Sequence, residues 1–413
     1  MGISVNTKDY DVVGKRQQIL ASIAMDSSYS YGGEAFDPNV LFGLPAGPVS
    51  LILPENPAGY VFKYDYTNKK MRVFAPAPLV VFEEVVTMTA GTTYDTGTTK
   101  YPMAWPIYAS NANQALGLLP KGLNPVTKTI SIDMQSGTPG TRATITSLDA
   151  DSYTTITISY ITQAWKEVFD NLVEGETMAA GATTTNGITF TAGTPDTISF
   201  ISVGTGFLCG LMVGLKLSTT VSAPKPCQKG ETTVAGEYAL DWTNTSPAAT
   251  TMSVVTTANW DAATATIVFN YLKKPAAGFL YDRFIEEDSA ASSSQVYTHA
   301  ASAALVKQPL LWSTPGFMPS VTLSTTSATW PIGGIGMTVG STTQWQPTNW
   351  YQKTKAVTAG TWTSGTGVAA SLTVKPTYLW GLPEDVQTKV PLEIPDGTNL
   401  SALNDVKLLI LSE

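Results

Sequence analysis

Apolar and polar side chains alternate one by one in short runs along this chain, and no long amphipathic helical run interrupts them. A period of two marks a strand with one buried face. The clearest case is AGYVFKYDYTNKKMRVFAP, Ala58 to Pro76, which reads as two aromatic-rich strands around Thr67 to Lys69. Asn68 tolerates the left-handed conformation that a tight hairpin needs, so a hairpin with Asn68 at that position is expected. Tyr60, Phe62, Tyr64 and Tyr66 then share one strand face, and Val61, Lys63 and Asp65 share the other. That aromatic face suits a core or an interface, which makes Tyr60, Phe62 and Tyr64 candidate interface residues.

Composition points the same way. Of 413 residues only 14% are charged, against a typical value of about 25%. Thr, Ser, Ala and Gly fill the gap, with 34 Gly, 26 Pro, 17 Tyr and 10 Trp, a mix poor in helix formers and rich in turn and strand residues. The fold class expected is therefore all-β, as several small β-sandwich or jelly-roll-like modules in tandem.

An internal duplication organises the middle of the chain. TITISYI from Thr155 matches TIVFNYL from Thr266 at an offset of 111, and FDNLVEGE from Phe169 matches YDRFIEED from Tyr281 at 112. ITSLDAD from Ile145 lies against VTTANWD from Val255, and Gly206 to Leu208 against Gly316 to Met318, both at 110. The division expected is an N-terminal β module over 1–86, a Gly, Thr and Pro-rich connector over 87–125, repeat copies over 126–225 and 226–325, and a Trp-rich β region over 326–413. Trp165, Val168, Phe169, Leu172 and Val173 fall at helical spacing, so a short helix is expected at the end of the first copy. Leu408 to Leu411 is apolar enough to be buried or given to a neighbouring subunit.

Candidate chemistry is thin. A net charge of -8 without a basic run argues against a nucleic-acid backbone as partner. The single histidine, His299, has no nucleophile elbow beside it, and several-imidazole metal sites are excluded. Asp149, Asp151, Glu286, Glu287 and Asp288 are carboxylates for a glycosidase, but their spacing selects no pair and solvated turns explain them. Gly333, Gly334 and Gly336 lack the strand, Lys and helix of a phosphate loop. Cys209 and Cys227 allow at most one disulfide. The uncharged stretch between Asp196 and Lys216 has glycines spaced as in membrane helices, yet it alternates as a strand does, and no membrane span is expected. The opening MGISVNTKDYDVV carries no basic n-region or apolar h-region, so no secretory signal is expected. No enzyme activity, cofactor or metal site is expected. The remaining candidates are Trp345, Trp350 and Tyr351, in TTQWQPTNWYQK, as interface or sugar-binding aromatics.

The N-terminal text VVGKRQQILASIAMDSSYSYGGEAFDPNVLFGL followed by AGYVFKYDYTNKKMRVF resembles small β modules of virion proteins encoded among the head genes of tailed bacteriophages. The shared order is Asp-Ser-Ser-Tyr, Gly-Gly-Glu, then Gly-Tyr-Val-Phe, over residues 12–80. The resemblance implies a non-enzymatic head decoration or cement protein on the capsid surface of the virion, made in the host cytoplasm. Its partners would be the major capsid protein and further copies of itself, as a homotrimer. A tail fibre or baseplate protein that holds host glycans through its Trp-rich region is the alternative.

Overall fold

The computed structural model describes residues 2–13, 16–44, 49–111, 114–170, 172–179 and 389–412 and, between 180 and 388, the strands named below. The chain is all-β: almost every element is a strand, set in several small, mostly antiparallel sheets. Among the described residues the α-helices are two short ones, α1 (Pro38–Phe42) and α2 (Lys166–Phe169). Two compact units result, one of residues 1–79, 138–142 and 389–413, the other of 80–137 and 143–388.

The first unit holds β1 (Ser4–Val13), β2 (Arg16–Ala24), β3 (Glu34–Ala35), β4 (Val49–Pro54), β5 (Val61–Asp65) and β6 (Lys70–Pro78). It is completed from the other end of the chain. The C-terminal strand Val406–Ser412 lies between β2 and β4, antiparallel to both, and Lys389–Glu393 pairs with β6. The last 25 residues thus do not belong to a separate Trp-rich region, and the 1–86 module is not closed by its own residues. The physical reason is apolar pairing: Ile19, Ile23 and Ile52 need a strand between β2 and β4, and Val406, Leu408 and Ile410 alternate in register to fill that place. Leu408 and Ile410 are accordingly buried in their own chain.

The β5–β6 hairpin forms as expected, with one difference at the turn. Asp65 pairs with Lys70, and the residue at positive φ is Lys69 (φ 51), not Asn68. The Asp65 carboxylate accepts from the Thr67 and Asn68 amides and from the Asn68 side chain, which holds those two residues in the first part of the turn. The reversal of hand therefore falls one residue later.

The second unit is built by repetition. Its first repeat runs β7 (Val80–Thr87), β8 (Tyr94–Thr98), β9 (Met103–Asn111), β10 (Gln114–Ala115), β11 (Gly117–Leu119), β12 (Thr129–Asp133), β13 (Thr144–Leu148) and β14 (Thr155–Thr162). One sheet has the order β10-β9-β14-β7 and the other β11-β12-β13-β8, with β11 and β12 parallel. Gly97 on β8 lies directly over β7, where an added Cβ would come within 2.7 Å of Val86. The second repeat runs β15 (Leu172–Ala179), β16 (Thr184–Thr185), β17 (Ile188–Thr191), β18 (Asp196–Phe200), β19 (Phe207–Leu217), β20 (Thr220–Ser222), β21 (Lys225–Cys227), β22 (Glu237–Asp241), β23 (Thr251–Val254) and β24 (Ala265–Lys274). Its sheets have the orders β20-β19-β24-β15 and β21-β22-β23-β18, again with the first two strands of the latter parallel; β17 and β16 extend the second sheet.

The repeats agree down to one irregularity. Tyr160 pairs with Val81 and Ile158 with Glu84, leaving Phe82 and Glu83 bulged opposite Ser159. Tyr271 pairs with Val173 and Phe269 with Glu176, leaving Glu174 and Gly175 bulged opposite Asn270. The second bulged residue has positive φ in both, Glu83 at 54° and Gly175 at 68°. Its amide donates in both cases to the side chain opposite, to Ser159 Oγ at 2.9 Å and to Asn270 Oδ1 at 2.8 Å. A bulge kept in place, hand and hydrogen bond marks a built-in bend of the first strand. Gly175→Ala is expected to cost about 1 kcal/mol through its left-handed backbone alone, read as a lowered urea midpoint at unchanged slope.

The sequence matches fall on this architecture with shifted boundaries. Thr155–Ile161 and Thr266–Leu272 are the equivalent last strands β14 and β24. Phe169–Glu176 and Tyr281–Asp288, in contrast, contain the first strands of the next repeats, β15 and Arg283–Glu286. Residues 87–125 carry β8 to β11 and are no connector. Helix α2 is a single turn, and Leu172 and Val173 are already strand. The matches at 255–261 and 316–318 lie outside the described residues. A third repeat of the same opening order follows in this unit: Arg283–Glu286 pairs with Thr377–Trp380, which pairs with Pro309–Leu310, while Ser289–Ala290 pairs with Leu372–Lys375. A further sheet of Val296–Ala300, Ala359–Ser364, Thr343–Pro347 and Met337–Val339 is added to it. The uncharged stretch from Asp196 to Lys216 is divided between β18 and β19, and no described helix is long and apolar enough to cross a membrane.

Candidate interaction surface

In the first unit, the sheet β1-β2-C-terminal strand-β4 turns one face to the core. The other face carries leucines. Register sets Leu20 beside Leu409 and Leu409 beside Leu53, with Leu411 beside Leu51 in the next row. Leu20 is 54% and Leu53 51% exposed, and Leu51, Leu409 and Leu411 are half-buried. On the β1 side this face ends in carboxylates, Asp9 opposite Leu20 and Asp11 opposite Gln18. An apolar centre with a charged rim is the composition of a protein interface.

In the same unit a clasp around the buried Glu393 carboxylate ties the two chain ends together. Tyr29 donates from its hydroxyl to Glu393 Oε1 at 2.7 Å, and the Gly32 amide donates to the same oxygen at 2.6 Å. The Arg72 guanidinium holds Glu393 Oε2 through Nε at 2.9 Å and through a second nitrogen. The Tyr29 oxygen in turn accepts from the Val73 amide. Burial drives the Tyr29 hydroxyl far above its ordinary range, and the Glu393 carboxylate raises the Arg72 guanidinium. Gly33, at φ 101, lies where a Cβ would meet Arg72 Cγ at 2.8 Å. The Asp-Ser-Ser-Tyr and Gly-Gly-Glu text is thus an architectural loop shaped around Glu393. Segment 138–142 joins it: the Gly140 carbonyl accepts from the Asp396 amide, and the Tyr31 ring occupies the space of a Gly140 side chain. Glu393 and Arg72 were not singled out by the sequence, because 321 positions separate them; the one signal was a lone carboxylate in the apolar text KVPLEIP.

The repeats of the second unit are joined by an apolar contact. Leu119, Leu123, Val221 and Val268 form a core, and Leu123 fills the space above Gly214. Glu174 accepts from the Met134 amide at 2.6 Å and from the Ser136 amide. Burial raises its carboxyl above the usual range despite those two bonds. A carboxyl whose folded value is raised favours the folded state most when protonated. Stability contributed here is therefore expected to be full below the unfolded value of about 4.3 and to fall as pH rises through the folded value. Urea titrations across that window should show this slope in the native chain and a flatter one in Glu174→Ala.

Phe62 is 4% exposed inside the first core and is not available to a partner; Tyr60 and Tyr64 are half-buried against it. Tyr64 meets Phe36 and Tyr66 edge-on at 5.7 and 4.9 Å, and burial pushes its hydroxyl up to about 12. Trp345 sits on Thr343–Pro347 opposite Met337 and Ser364. Trp350 and Tyr351 lie outside the described residues. Among the described residues no three His, Cys, Asp or Glu side chains gather as metal ligands. Comparison with family models, curated protein sequences and solved structures finds no match to this chain.

Proposed function

We propose that this protein is a non-enzymatic structural component of a tailed-bacteriophage head, a decoration or cement protein whose first unit binds neighbouring shell subunits. The observation that carries the reading is the leucine row of Leu20, Leu409 and Leu53. It lies on the unit that contains the virion-module text, and both chain ends are fixed into that unit. An exposed row of leucines costs solubility unless a partner covers it. The tandem repeats, with their apolar joint, suit a stiff projecting or bridging arm, and a homotrimer about a local three-fold axis is the assembly this reading implies.

The test uses phage heads stripped of this chain. Added wild-type protein is expected to be retained and to raise their resistance to heat and salt. Leu20→Glu with Leu53→Glu, both at exposed positions, is expected to fold but to lose binding by about thirtyfold or more. Retention without added resistance would count against cementing. Density for the chain only at the tail or fibres would sink the head reading; a glycan array with Trp345→Ala and Trp350→Ala controls would then examine host-sugar recognition.

A further inference from the structure

The two edges of the sheet that bears the leucine row differ in kind. On β4 the edge is closed: the outward Ile52 amide donates to the Tyr66 hydroxyl at 2.8 Å, and Pro54 ends the strand. On β1, at the other end of the sheet order, no further strand pairs among the described residues. Val13 pairs with Arg16 at the hairpin end, and the Val12 amide turns to the Asp11 carboxylate at 2.8 Å instead of to β2. By alternation, Lys8 and Tyr10 present their backbone donors and acceptors outward, and Val12 its carbonyl. The strand is held for use, since the Tyr10 hydroxyl donates to the Phe42 carbonyl at 2.6 Å and the Asn6 amide group donates to the Asn404 carbonyl. Residues 8–12 are all exposed, with Val12 at 67%.

Charge decides what can pair there. A second copy would have to pair antiparallel about a two-fold axis, with outward residues opposite outward residues. Tyr10 opposite Tyr10 sets Asp9 against Asp11 twice; Tyr10 opposite Lys8 sets Asp9 against Asp9; Tyr10 opposite Val12 sets Asp11 against Asp11. Like charges directly opposite are destabilising. We propose that the β1 edge is a β-augmentation site for an extended segment of another protein, one with basic side chains at alternate positions facing Asp9 and Asp11 and apolar ones facing Tyr10 and Val12. This goes beyond the head reading and does not depend on it.

The experiment uses the full chain and the peptide Thr-Val-Lys-Val-Lys-Val-Thr, with amide hydrogen exchange at Lys8 and Tyr10 as the readout. Exchange at these amides is expected to slow about tenfold or more at saturation. The peptide with Glu for Lys is expected to bind about tenfold more weakly, and the Lys peptide N-methylated at alternate backbone positions to give no protection. Asp9→Lys with Asp11→Lys should reverse the preference between the Lys and Glu peptides. Equal protection by the Glu or N-methyl peptide, or none by the Lys peptide, would overturn the proposal. So would protection in the free chain that grows with its own concentration, which would assign the edge to a second copy. None of these outcomes bears on whether phage heads retain the protein.

Discussion

A chain ending at Thr388 is expected to lose the fold of its first unit. The deletion takes away the strand between β2 and β4, the partner of β6, and the buried side chains Ile394, Leu400, Val406, Leu408 and Ile410. Their burial contributes on the order of 10 kcal/mol, comparable to the whole stability of a domain. Trypsin should then cut rapidly at Lys63 and Arg72, which face each other in the β5–β6 pairing of the full chain, while the repeats of the second unit persist. Equal protection in both chains would mean that residues 1–79 fold by themselves, as the sequence suggested.

Glu393→Ala should destabilise that unit strongly. It leaves the Tyr29 hydroxyl, the Gly32 amide and the Arg72 guanidinium without their shared acceptor, in a site where the Glu393 side chain is only 2% exposed. Removing one partner of a buried pair costs 3–5 kcal/mol as a rule, and partial exposure of Arg72 places this case at about 3 kcal/mol. Glu393→Gln keeps an acceptor for Tyr29 and Gly32 but gives up the charge on Arg72, so a smaller loss of about 1–2 kcal/mol is expected. Urea midpoints of the three chains give the order directly. A Glu393→Ala midpoint within error of the native one would show that the clasp contributes nothing.

Both expectations concern contacts between residues more than 300 positions apart, and that is where sequence reading stopped. The strand-rich class, the β5–β6 hairpin and the kinship of Thr155–Ile161 with Thr266–Leu272 were legible because each is written in local alternation. The repeat boundaries were misplaced for a definite reason: the match from Phe169 spans the end of one repeat and the first strand of the next, and nothing local marks that junction. Asn68 was a sound choice for the left-handed turn position by propensity, but the Asp65 carboxylate moved that position to Lys69. Of the interface candidates, Phe62 carried the right pattern and the wrong role, since alternation reports that a face is covered without saying by what.

The leucine face was half legible. Leu408 to Leu411 stood out as an apolar run, whereas Leu20 and Leu53 looked like ordinary strand residues until register set them beside Leu409. Period-two alternation with few charges determined by itself that this chain would be strands with one buried face each, because side-chain direction along a strand is a local property. Which strand lies beside which is not local: it depends on apolar rows that match only when distant segments meet. Tertiary structure alone therefore decided that the two chain ends share one sheet, that a loop of tyrosines and glycines closes on Glu393, and that one sheet edge is closed while the other stands open.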